Sequence, residues 1–147
     1  MTMIYLDTEF NGFGGGLISL ALVGMTGEQF YEVCELPANV DIWVKQHVVP
    51  VLGKEPMRPL LFRQAFQQWI VQFDNPEIVC DWHVDAQHFC EMLAGFDYGS
   101  SLDFAFTMRV LKTPPGQPIS KVPHNALADA VALMEWHQDF KQWYSHA

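Results

Sequence analysis

The spacing of apolar and polar positions changes character twice along the chain. Ile4 and Leu6 read as a buried strand into which Asp7 and Glu9 intrude, and Leu17–Gly24 (LISLALVG) is an apolar run of strand length. Met25-Thr26-Gly27 marks a turn, and Gln29–Leu36 reads as a third strand, so the first part predicts an antiparallel meander of three strands. After Pro37 the period becomes helical: Val40, Val44 and Val48 recur on one face, with Pro50 predicted to end the segment. A loop bearing Pro and Gly follows, from Pro50 to Pro59. An amphipathic helix then carries Phe62, Phe66, Trp69, Ile70 and Phe73 on one side, read as core and not as a stacking platform.

Asn75-Pro76 makes a turn, Glu77–Cys80 a short strand, and Val84–Leu93 a helix ending at Gly95. Leu102–Phe106 is predicted as the last strand. A loop with Pro114, Pro115, Gly116 and Pro118 leads to a final helix from about Asn125 to Trp143, its apolar surface including Leu127, Val131, Met134, Trp136 and Phe140. Strands followed by alternating helices and strands predict an α/β layer fold: a central mixed sheet of about five strands, the first three antiparallel, flanked by helices. At 147 residues a single domain spanning 1–147 is expected.

Composition narrows the function classes. Half of the residues are apolar and 14% are aromatic, which argues against disorder. No basic leader precedes the first strand and no apolar run is long enough to span a bilayer, so a signal peptide and a membrane partner are not expected. The three cysteines Cys34, Cys80 and Cys90 lack C-x-x-C spacing and read as reduced thiols of a cytoplasmic protein. A net charge of −9 argues against electrostatic coating of nucleic acid, though not against an enzyme that takes a strand end.

Candidate chemistry begins at Asp7 and Glu9. Residues two apart on a strand share a face, so both carboxylates sit side by side at the strand's end. Two such acids repel unless a cation or a shared proton compensates, and hard oxygen ligands suit Mg²⁺ or Mn²⁺. Further acids stand where strand meets helix. In Cys80-Asp81-Trp82-His83-Val84-Asp85, Asp85 opens a helix. In Pro123-His124-Asn125-Ala126-Leu127-Ala128-Asp129, Asn125 is a good N-cap, which puts His124 just before the helix and Asp129 about one turn into it. Two other motifs fail. Gly12–Gly16 has Leu17 where a dinucleotide fingerprint needs its third glycine and lacks the Gly-Lys-Ser/Thr of a P-loop, so it reads as a hairpin connection. Cys80, His83, His88 and Cys90 match no familiar zinc spacing.

D-x-E on the first strand, a mid-chain Asp opening a helix and a late H-x₄-D together resemble the DEDDh 3′–5′ exonucleases, whose fold is ribonuclease H-like. The chain is similar in particular to the small bacterial exoribonucleases of the mycobacterial RNase AS type. The likeness includes YLDTEF, IWVKQHVVPVL and HNALADA and covers nearly the whole length. It implies two divalent ions, Mg²⁺ or Mn²⁺, about 4 Å apart on Asp7, Glu9, Asp85 and Asp129, with Asp7 bridging and His124 as general base. Asp81 stands where many relatives carry Asn, and is the neighbouring alternative to Asp85. The resemblance further implies hydrolysis of single-stranded or overhanging RNA 3′ ends to nucleoside 5′-monophosphates, and a homodimer. By analogy alone, Phe10, Leu17 or Trp82 would stack on or wedge the terminal base; a core role is the first expectation for each. A DNA exonuclease of trimming or proofreading type and a non-catalytic nucleic-acid-binding module of the same fold are the alternatives.

Overall fold

The computed structural model describes residues 2–95 and 99–145. Its centre is a five-stranded mixed sheet of β1 (Met3–Phe10), β2 (Leu17–Gly24), β3 (Gln29–Val33), β4 (Glu77–Cys80) and β5 (Thr107–Val110), in the order β3-β2-β1-β4-β5. β1 pairs antiparallel with β2 and parallel with β4; β2 pairs antiparallel with β3, and β4 parallel with β5. β2 therefore runs against the other four strands.

Helices cover both faces, which explains why β2 is apolar almost throughout instead of alternating: Ile18 to Gly24 are all buried. On one face α2 (Pro59–Ile70) and α3 (His83–Ala94) set Phe62, Phe66 and Phe89 against Ile4, Leu6, Leu20 and Leu22. Each fully buried side chain of this size contributes about 1.5–3 kcal/mol. On the other face α4 (Ala126–Ser145) lays Ala126 and Ala130 on Ala21 and Val23, and Leu133 on Tyr5 and Val79. α1 (Ile42–His47) joins the same face through Val44, which packs with Ile18 and Val33.

Three expectations need correction. Leu102–Phe106 is not a strand; β5 begins at Thr107. Leu102, Phe104, Phe106 and Met108 do alternate and do pack on the core. However, β4 has only four residues, and its register begins at Glu77↔Thr107, so the residues before Thr107 have no rung to pair with. Pro50 does not end the helix: α1 stops at His47, and Pro50 lies inside a 3₁₀ turn at Val49–Val51, where its fixed φ is tolerated. On α4, Leu127, Val131, Met134 and Trp136 pack against the core as expected, but Phe140 is exposed. The buried positions are Ala126, Ala130, Ala132, Leu133 and His137, small or polar residues for the most part, which a count of large apolar residues passes over.

One relation positions everything that follows. The parallel pairing of β1 with β4 ends at Tyr5↔Val79, but β1 continues to Phe10. The last residues of β1 thus border a crevice at the carboxyl end of β4, where open α/β sheets commonly bind ligands.

A candidate metal centre at the end of the first strand

Asp7 and Glu9 enter the crevice on the α4 side, since their side chains share the face of Tyr5. Asp129 meets them from the first turn of α4. That helix starts where it does because Asn125 caps it: its Oδ1 accepts the Ala128 amide at 3.0 Å, and its Nδ2 donates to the Val51 carbonyl at 2.9 Å. Asp85 arrives from the first turn of α3, and Asp81 from the link between β4 and α3.

Two groups of three carboxylates result, each with one oxygen per residue lying within 4.8 Å of the others: Asp7, Glu9 and Asp129, and Asp7, Asp81 and Asp85. Asp7 belongs to both. The crowding is electrostatically adverse. Burial, and then Asp85, Glu9, Asp129 and Asp81, push the Asp7 carboxyl well above the usual range. Burial, then Asp129 and Asp85, push Glu9 up to about 8. Asp85 is pushed up to about 7, chiefly by burial, although hydrogen bonds from Thr8 act in the opposite direction. Burial also raises Asp81 and Asp129.

A divalent cation would relieve this arrangement, and two atoms speak for one. Oδ2 of Asp7 and Oδ1 of Asp129 are buried with no hydrogen-bond partner. A buried carboxylate oxygen without a donor is costly, and a cation is the partner that an all-oxygen donor set fits. The structure thus brings Asp7 together with Glu9 and Asp129 in one group and with Asp85 in the other. Asp81 joins the second group as well, a closeness that its position four residues before Asp85 does not reveal.

His124 lies beside the cluster with φ +69°, a left-handed conformation uncommon for a residue with a side chain. Its amide donates to Oδ2 of Asp129 at 3.1 Å, and its ring meets the Trp43 indole edge-on at 4.9 Å. Trp43 in turn stacks with His47 at 4.6 Å. Neither Trp43 nor His47 stood out in the sequence; the signal was their i, i+4 spacing on α1, which brings two rings to one face.

The carboxylates floor a cleft of about 600 Å³ whose walls include Phe10, Phe13, Trp43, Trp82 and His124. Phe10 lies 5.6 Å from Trp82 and 5.3 Å from His88, and Phe13 meets Trp82 at 5.8 Å, centroid to centroid. A smaller recess of about 350 Å³ reaches Asp7, Asp129 and His124 from the side of the loop Gly116 to Ser120. Among the described residues no lysine or arginine lines either space.

Phe10 and Trp82 thus reach the cleft, and Leu17 does not. A register shift between Glu9 and Phe10 sets Leu17 opposite Phe10, and Leu17 packs against the α2/α3 core. The loop between them is fixed by Gly15, where a Cβ would overlap the Asn11 backbone. Asn11 ties that loop to α1, its Oδ1 accepting the Asp41 amide at 2.7 Å and its Nδ2 donating to the Asn39 carbonyl at 2.9 Å.

Among the described residues Cys80, His83, His88 and Cys90 form no ligand group. Burial pushes the Cys80 thiol up to about 12, and it donates to the Trp82 carbonyl, the reverse of what a zinc thiolate needs. Among the described residues no helix is long and apolar enough to cross a membrane. No protein-family model matches the sequence, and no curated protein matches it.

Proposed function

We propose that this protein is a metal-dependent 3′–5′ exoribonuclease of DEDDh type with a ribonuclease H-like fold. The observation that carries the proposal is the membership of Asp7 in two three-carboxylate groups, a donor arrangement that suits a pair of divalent cations sharing one ligand. A mixed five-stranded sheet with helices on both faces agrees with the fold implied by the sequence resemblance.

Asp7, Glu9 and Asp129 would hold one Mg²⁺ or Mn²⁺, and Asp7 and Asp85 with Asp81 beside them the other. Bound there, the two ions supply Lewis-acid stabilisation of the attacking and leaving oxygens of the phosphodiester. His124 faces both the cleft and the side recess, so its imidazole can take a proton from a water in that space. The Asp129 contact to the His124 backbone and the Trp43 indole fix the ring's position. Phe10, Phe13, Trp43 and Trp82 offer planar surfaces to the bases of the strand end. Among the described residues no lysine or arginine lines the cleft, so phosphate binding there would rest on bound cations, which suits a terminus and not a long strand. RNA as the substrate follows from the resemblance.

The test is incubation of short RNA with the protein and Mn²⁺ or Mg²⁺, followed by chromatography of the products. Nucleoside 5′-monophosphates that vanish in EDTA support the proposal. An unchanged RNA at all metal concentrations contradicts it.

A further inference from the structure

Thr8 stands between Asp7 and Glu9, yet its side chain leaves by the opposite face of β1. That face is apolar, with Ile4 and Leu6 fully buried ahead of it. Thr8 is only 5% exposed, and a hydroxyl buried in such a place needs a partner. It has one in Asp85, whose Oδ1 accepts the Thr8 hydroxyl at 2.6 Å and the Thr8 amide at 3.2 Å. The amide is available because β1 has run past its last rung with β4, Tyr5↔Val79. Asp85 takes the place of the missing strand.

We infer that Thr8 is a positioning residue, which occupies one oxygen of Asp85 and thereby makes Asp85 a one-oxygen ligand aimed at Asp7 and Asp81. A carboxylate oxygen has two lone-pair directions, and two donors on Oδ1 fill them. Only Oδ2 is then left to a cation. The tether also sets the distance between β1 and the first turn of α3, two elements that reach the site from different layers of the fold. Its removal frees the Asp85 side chain to rotate away from the cluster or to turn both oxygens inward. The D-T-E triplet accordingly has two residues that would hold the ions and one that fixes a third carboxylate, Asp85, from behind. This inference rests on the two-ion reading above.

Calorimetric titration of Mn²⁺ into the wild type, Thr8→Val and Thr8→Ser tests it. The wild type should show two sites. Thr8→Val keeps the shape and loses the hydroxyl; one site should weaken by roughly 10- to 100-fold, the usual effect of losing an outer partner of a metal ligand. Its cleavage rate should recover at higher Mn²⁺, and Thr8→Ser should restore the wild-type isotherm. Thr8→Ala, which removes the same hydroxyl with less bulk, must give the same shift if Thr8→Val does not fold. A lowered Tm with an unchanged isotherm in the folded variants makes Thr8 a structural residue and overturns the inference. A wild type that binds no Mn²⁺ removes the two-ion reading and the inference with it.

Discussion

Asp7 and Asp129 present carboxylate oxygens within 4.8 Å of each other, and each carries one buried oxygen that no hydrogen bond satisfies. They come from a strand and a helix brought together where α4 lies on the sheet, through Leu133 on Tyr5 and through Ala126 and Ala130 on Ala21 and Val23. Folding has thus assembled an anionic pocket at an electrostatic cost, and the predictions below follow from what offsets it.

On the proposed reading Asp7→Ala, Glu9→Ala, Asp85→Ala and Asp129→Ala should each lower cleavage by roughly 10³-fold or more, since each would remove a ligand of the ions that clamp the transition state. Asp81→Asn should stay within about tenfold of wild type, because the amide keeps an oxygen at that position. Steady-state cleavage of RNA at saturating Mn²⁺ checks the set. An active Asp85→Ala beside a dead Asp81→Asn would exchange their roles.

His124 is not in either carboxylate group. His124→Ala should therefore keep Mn²⁺ affinity in a calorimetric titration and lose roughly 10²- to 10⁴-fold in rate, the range of general-base catalysis. A loss of metal affinity equal to that of Asp129→Ala would make the histidine a ligand or a prop.

Stability without metal should fall as pH rises. Glu9 is pushed up to about 8 and Asp85 to about 7, each chiefly by burial, and burial also raises Asp7 well above the usual carboxylate range. In the unfolded chain such acids titrate near 4. Between about pH 4 and 8 the native state holds protons that the unfolded state has released, so stability declines through that window. Thermal melts in EDTA should show a lower Tm at pH 8 than at pH 5, and Glu9→Gln should flatten the difference. Added Mn²⁺ should raise the Tm at pH 8, where the acids are ionised. A metal-free Tm that climbs from pH 5 to 8 contradicts the assignment.

RNA binding should depend weakly on salt. Among the described residues no lysine or arginine lines the cleft, so few counterions leave when the strand end enters. The slope of log affinity against log salt should lie near −1 to −2 with about two phosphates engaged. A slope several times steeper would reveal a basic track elsewhere.

Much of the site was legible in the sequence because its signals are local. Period two put Asp7 and Glu9 on one face, and the Asn125 cap fixed where Asp129 and His124 stand on α4. What escaped depends on contacts between distant segments. Leu17 is turned from the cleft by a register shift that no residue type announces. The start of β5 is dictated by the four-residue length of β4, not by the alternation of Leu102, Phe104 and Phe106. Thr8 carries no signal of its own in the sequence, because its bond to Asp85 joins a strand to a helix 77 residues away.

The most direct measurement of the central claim is digestion of one RNA, labelled at its 5′ end, in the presence of Mn²⁺. It is run beside a 3′-phosphorylated form, a circular form and a DNA of the same sequence. The account predicts a ladder that shortens from the 3′ side, while the blocked and circular forms persist and EDTA stops the reaction. Cleavage of the circle would contradict the exonuclease assignment, and faster digestion of the DNA would contradict the assignment to RNA.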